Sequence, residues 1–110
     1  METVRGSFDY FLWVNAHEEA TFQECLSEYH QEWPKLANSE ARAKLQEGLV
    51  ALLESGNIGL YAEQWARPGT RRDMGLEEAR KAVRDDNNWR PPDDTEWFHY
   101  FYVAHDWTPV

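Results

Sequence analysis

The apolar positions beyond residue 38 change their spacing once, and that change divides the chain. Ala41, Leu45, Gly48, Leu49, Leu52 and Leu53 recur at steps of three and four, which is one face of a helix, while Arg42, Gln46, Glu47 and Glu54 fall largely on the other. Ser39 is suited to cap this helix, because its hydroxyl can accept a bond from an unpaired amide of the first turn. Glu40 favours the positive end of the helix dipole. Gly56 supplies the left-handed conformation that ends many helices. Past Asn57, Ile58, Leu60 and Ala62 alternate with Gly59, Tyr61 and Glu63, the spacing of a strand that reaches Trp65.

The flanking segments follow the same logic. Thr21-Phe22-Gln23-Glu24 fits a capping box, in which hydroxyl and carboxylate satisfy each other's orphan amides. Phe22, Cys25, Leu26, Tyr29 and Trp33 then share a helical face, and Pro34 stops that helix. Residues 7–16 fit either period: Phe8, Phe11, Leu12 and Asn15 share a helical face, yet Phe8, Tyr10, Leu12 and Val14 alternate. Residues 66–73 read as a loop marked by Pro68-Gly69. Glu77 to Arg84 read as a short helix with Leu76, Ala79 and Val83 as its apolar stripe, broken by residues 85–88; an extended polar loop follows Trp89. Trp97 to Trp107 form a last strand. One face carries Trp97, His99, Phe101, Val103, His105 and Trp107, and the other Phe98, Tyr100, Tyr102, Ala104 and Asp106.

A leucine-rich helix running into Leu-Leu-Glu-Ser-Gly-Asn-Ile-Gly-Leu-Tyr (52–61) resembles the third helix of a winged helix-turn-helix domain entering its wing. The likeness covers residues 8–65 and is one of spacing. The chain is also similar to small uncharacterised bacterial proteins with such a helix, strand and Trp-rich tail, a likeness that implies no activity. The winged-helix resemblance implies an α+β fold with three N-terminal helices, the first over residues 7–16. Residues 17–20 become a short extended link towards the wing. The wing is then a two-stranded antiparallel ribbon, residues 58–65 against 97–107, with the short helix inserted at its tip. An isolated ribbon is marginal in water, so one face must pack on the helices.

The 110 residues fit one domain, 1–110. No stretch is long enough to cross a bilayer, and the N-terminus lacks a secretion signal pattern, so a cytoplasmic location without membrane association is expected. The net charge is −9. It is uneven: one basic against seven acidic residues over 1–34, nine against seven over 35–84, and one against six over 85–110. An acidic chain is a poor partner for nucleic acid, whose binding draws on phosphate neutralisation. Arg67, Arg71 and Arg72 are the sharpest basic feature, and would be the wing-tip phosphate contacts of a DNA-binding regulator. The other reading, a solvated loop neutralised by Asp73 and the acidic tail, fits the overall charge better.

Catalytic and metal chemistry find little footing. Cys25 is the only cysteine, which rules out an internal disulfide and a cysteine zinc cluster. Thr21 stands where a His-Glu-x-x-His motif beginning at His17 would need its second ligand. His99 and His105 lie six residues apart on one strand face, about 20 Å at about 3.4 Å per residue. The acidic pairs sit at element ends, no serine has a nucleophile-elbow context, and the glycines are scattered. No enzyme activity and no cofactor are expected. Sixteen aromatic residues, six of them Trp, exceed what so small a core needs. The expectation is therefore a protein-binding module. Tyr61, Trp65, Tyr100 and Tyr102 contact another protein or a second copy of the chain, unless the inserted helix covers them.

Overall fold

Thr21 starts its helix as its neighbours dictate. Its hydroxyl accepts from the Glu24 amide at 3.1 Å, and its own amide donates to the Glu24 carboxylate at 2.9 Å. In the computed structural model, which describes residues 8–90, 97–105 and 107–108, this capping box opens α2 (Phe22–Glu32). Before it runs α1 (Phe8–His17), so the ambiguous first segment is helical. Residues 17–20 are not one extended link. His17 ends α1, Glu18 and Glu19 form a turn, and the extended residue is Thr21, which bridges to Tyr100.

The central helix α3 spans Asn38–Glu54. It begins before the expected cap: Ala37 is the N-cap and offers no side-chain acceptor, so Ser39 does not cap the helix, and the Ala37 amide donates to the Glu40 carboxylate at 3.1 Å. Its end is as read. Gly56 has φ +81, its amide bonds the Leu53 carbonyl, and the Asn57 amide reaches back to Leu52 at 2.9 Å.

The chain then forms β1 (Ile58–Gln64), β2 (Arg72–Asp73), α4 (Leu76–Arg84), a 3-10 turn (Asp86–Trp89) and β3 (Trp97–Val103). The strands make an antiparallel sheet in the order β2-β1-β3. The expected two-stranded wing is therefore corrected to three strands. Arg72 and Asp73 pair with Ala62 and Tyr61, a strand too short to leave any alternation in the sequence. The last strand also stops at Val103, short of Trp107. The Ala104 amide still bonds Asn57, but His105 turns the backbone to φ +42.

This is an α+β molecule: among the described residues, four α-helices pack on one face of the sheet. Leu12, Phe22, Cys25, Leu45, Leu49, Val83, Leu60 and Phe101 are closed to solvent and join one core. Burial pushes the Cys25 thiol up, and nearby Glu28 adds to the effect, so the group is neutral and packs as a small apolar side chain. The inserted helix α4 sends Ala79, Ala82 and Val83 into this core beside α3, while Leu76 stays 47% exposed. Trp89, assigned to no core by its polar neighbours, is buried. It stacks on Phe22 at 4.6 Å and donates its indole N–H to the Val83 carbonyl at 2.8 Å. No helix among the described residues is long and apolar enough to cross a membrane.

Candidate functional site

Alternation along β1 and β3 decides which rings meet. Ile58, Leu60 and Phe101 point into the core, so Gly59, Tyr61 and Glu63 on β1 and Phe98, Tyr100 and Tyr102 on β3 share the other face. The register sets Tyr61 opposite Tyr100 and Gly59 opposite Tyr102. Tyr61 and Tyr100 lie nearly parallel, with centroids 4.9 Å apart. Tyr102 stands 6.1 Å from Tyr61 on one side. On the other, Phe98 stands 6.4 Å from Tyr100, and Trp65 stands 5.5 Å from Phe98. Five rings thus form one continuous ladder across the outer face.

Gly59 is what lets the ladder close at its Tyr102 end. A Cβ there would lie 2.4 Å from the Tyr102 ring, so the ring lies directly on β1 backbone. Two polar groups then cover Tyr61. Its hydroxyl donates to the Glu19 carboxylate at 2.8 Å, and the Arg71 guanidinium sits 3.9 Å above its ring and 5.5 Å from that of Tyr102. Burial raises the Tyr61 phenol well above the usual range, and the bond to Glu19 raises it further; Arg71 opposes both. Tyr100 is raised as well, by burial and then by Glu63 and Glu24.

The four candidate contact residues are therefore gathered on one face, but unequally open. Trp65 is 63% exposed, Tyr100 and Tyr102 are half-buried, and Tyr61 is only 6% exposed. Tyr61 is the floor of the ladder. The inserted helix does not cover it, because α4 faces the core beside α3. Phe98, half-buried between Trp65 and Tyr100, and Glu19 belong to the site but were not among the candidates. Phe98 was legible in the strand alternation. Nothing near Glu19 in the sequence points to a residue 42 positions away.

The three candidate arginines are dispersed. Arg71 is held by Tyr61 and by Asp73 at 3.0 Å. Arg72 points the opposite way along the strand and pairs with Glu78 of α4 at 2.7 Å. Arg67 lies exposed in the turn, where its carbonyl accepts from Thr70. On α3, Arg42 pairs with Asp86 at 3.4 Å, and Lys44 lies over the Phe8 ring. Among the described residues, no three His, Cys, Asp or Glu side chains gather where a metal ion could bind.

Each sheet edge is met by another segment at one point. β3 is flanked by Ala20 and Thr21, with the Phe101 amide bonded to the Ala20 carbonyl at 3.2 Å. β2 is two charged residues long, a common way to blunt an edge. Comparison of the chain with protein-family models, with curated proteins and with solved structures gives no match.

Proposed function

We propose that the protein is a non-catalytic, cytoplasmic protein-binding module whose contact surface is the outer face of the sheet. Trp65, Phe98, Tyr100 and Tyr102 meet either a second copy of the chain or another protein, and Tyr61 supports them from below. The single observation that carries this reading is the ladder itself. It is a row of five rings outside the hydrophobic core, ending in a tryptophan that is 63% exposed. Aromatic side chains give large contact area at low entropy cost and dominate binding hot spots. The blunted edges favour face contact over strand addition.

The fold is read in the same proposal as a winged-helix variant. Supporting this, the extended Thr21 between α1 and α2 bridges to β3, and α3 runs directly into β1. Nucleic acid is not the expected partner of this variant, since Arg71 and Arg72 each already face a carboxylate.

Sedimentation across a concentration series tests the surface, with Tyr100→Ala and Tyr102→Ala beside the parent protein. Self-association that the two substitutions abolish supports the reading, as does a purified partner that they release. An oligomer or complex that survives both overturns it. So does binding to duplex DNA at low salt that weakens steeply as salt is added.

A further inference from the structure

Away from the sheet, α1 and α2 enclose a groove of about 390 Å³, within the size range of small-ligand sites. Tyr10, Val14 and Asn15 line it from α1, and Glu28, Gln31 and Glu32 from α2. Asn15 is 1% exposed at its floor. The side-chain amide turns its nitrogen back to the Phe11 carbonyl at 3.0 Å, and its oxygen is buried without a donor. A buried acceptor left unpaired is costly, and a bound donor would remove that cost. The two carboxylates have the same need. Neither Glu28 nor Glu32 is paired with a cation among the described residues. Burial raises the Glu28 carboxyl above its usual value, and Glu18, Glu24 and Glu32 raise it further. On the far side of Glu28 a second groove, of about 290 Å³, is lined by Glu18, Glu24 and Ser27. The surface of α2 is thus a run of acceptors with one orphaned amide oxygen beneath it.

We propose that the α1–α2 groove is an anchor site for an arginine side chain of a basic protein partner. The guanidinium donates to Glu28, Glu32 and the Asn15 oxygen, and its methylene stem lies along Val14 and the Tyr10 ring. Three acceptors around one groove suit a planar group with five fixed donors better than a point ammonium. The second groove gives a neighbouring basic residue a place on the same carboxylate. This rests on the protein-binding reading only for the source of the cation, and it uses different residues from the aromatic face.

The test is a titration of the full chain, followed by NMR, with a blocked oligo-arginine peptide and with its citrulline counterpart, which keeps the shape and loses the charge. Saturable shifts at the Asn15 side-chain amide, Tyr10 and Val14, with the citrulline peptide weaker by about tenfold or more, support the site. Replacing Glu28→Gln and Glu32→Gln together should weaken the arginine peptide to a similar degree without loss of folding, since it relieves repulsion among like charges. Equal shifts with citrulline overturn the proposal. So do shifts spread evenly over Glu40, Glu47 and Glu54, or binding of free agmatine with exclusion of the peptide. The Tyr100→Ala, Tyr102→Ala protein should bind the peptide unchanged, so that a failure of the aromatic surface and a failure of the groove are told apart.

Discussion

The Glu19 carboxylate accepts the Tyr61 hydroxyl at 2.8 Å from a backbone in the left-handed region, φ +54. The two facts explain each other. The amides of Glu19 and Ala20 bond back to Ala16 and Asn15, the same helix ending that Gly56 and Asn57 make after α3. Glycine takes that position without strain, whereas an L side chain costs about 1 kcal/mol there. At the end of α3 nothing needs a side chain, and glycine is present. At the end of α1 the side chain ties the helix to the floor of the aromatic ladder. Glu19→Ala should therefore destabilise by about 2 kcal/mol, losing the bond and keeping the strain. Glu19→Gly should cost about 1 kcal/mol less. Urea unfolding of the two proteins measures the difference; equal losses would show that the backbone carries no strain.

Gly59 and Tyr102 make a second pair whose coupling can be measured. A methyl at Gly59 would fall 2.4 Å from the Tyr102 ring, which must then leave the β1 backbone and with it the edge of Tyr61. Gly59→Ala should cost about 1 kcal/mol in the parent, even though alanine suits a strand better than glycine does. In a Tyr102→Ala background the same change should be neutral or stabilising by about 0.5 kcal/mol. A double-mutant cycle gives the coupling directly. A cycle that closes at zero would mean that the ring does not rest on Gly59.

These pairs also show how far the sequence could be read. The capping box at Thr21, the glycine stop at Gly56 and the alternation of β3 are local patterns, and each appears where its chemistry places it. So does the aromatic face, because strand parity alone puts Tyr61, Tyr100 and Tyr102 together. The features that escaped depend on contacts distant in sequence. Glu19 looks like a solvated turn residue until Tyr61 arrives. Trp89 sits among aspartates and asparagines, yet Phe22 and the Val83 carbonyl draw it inside. β2 is two residues whose pairing is decided by β1. The three neighbouring arginines suggest one basic patch, but strand alternation sends Arg71 onto the rings and Arg72 to α4.

The raised Tyr61 phenol sets the behaviour in alkali. The unfolded chain ionises this group near the ordinary tyrosine value of 10.0, and the folded chain holds its proton longer. Between those points the unfolded state binds fewer protons, so stability falls as pH rises. The contribution is complete below about pH 10. Denaturant midpoints should therefore drop above that pH, and Tyr61→Phe should flatten the drop. Glu19→Gln removes a charge that raises the phenol, so the latest step of the phenolate absorbance titration should move to lower pH. Arg71→Gln removes a charge that lowers it and should move the step the other way. Shifts of the same sign in both would contradict the arrangement around the ring.

His99 governs the acid side. Its ring stacks on Phe22 at 5.4 Å with an interplanar angle of 12°, and its buried Nδ1 has no partner among the described residues. Burial lowers the imidazole below its ordinary 6.5; Asp85 opposes this, and Arg72 adds to it. The unfolded chain therefore takes up a proton before the folded chain does. The stability that neutral His99 provides is fully present above about pH 6.5 and is lost as pH falls through the lower folded value. His99→Phe keeps a ring against Phe22 and has nothing to protonate. Thermal unfolding of the two proteins at a series of pH values between about 4.5 and about 7.5 isolates the group, because every other titration is common to both. The parent should lose stability relative to the variant as the solution is acidified. A constant difference across the series would mean that His99 meets water freely and that its stack on Phe22 does not hold it in the interior.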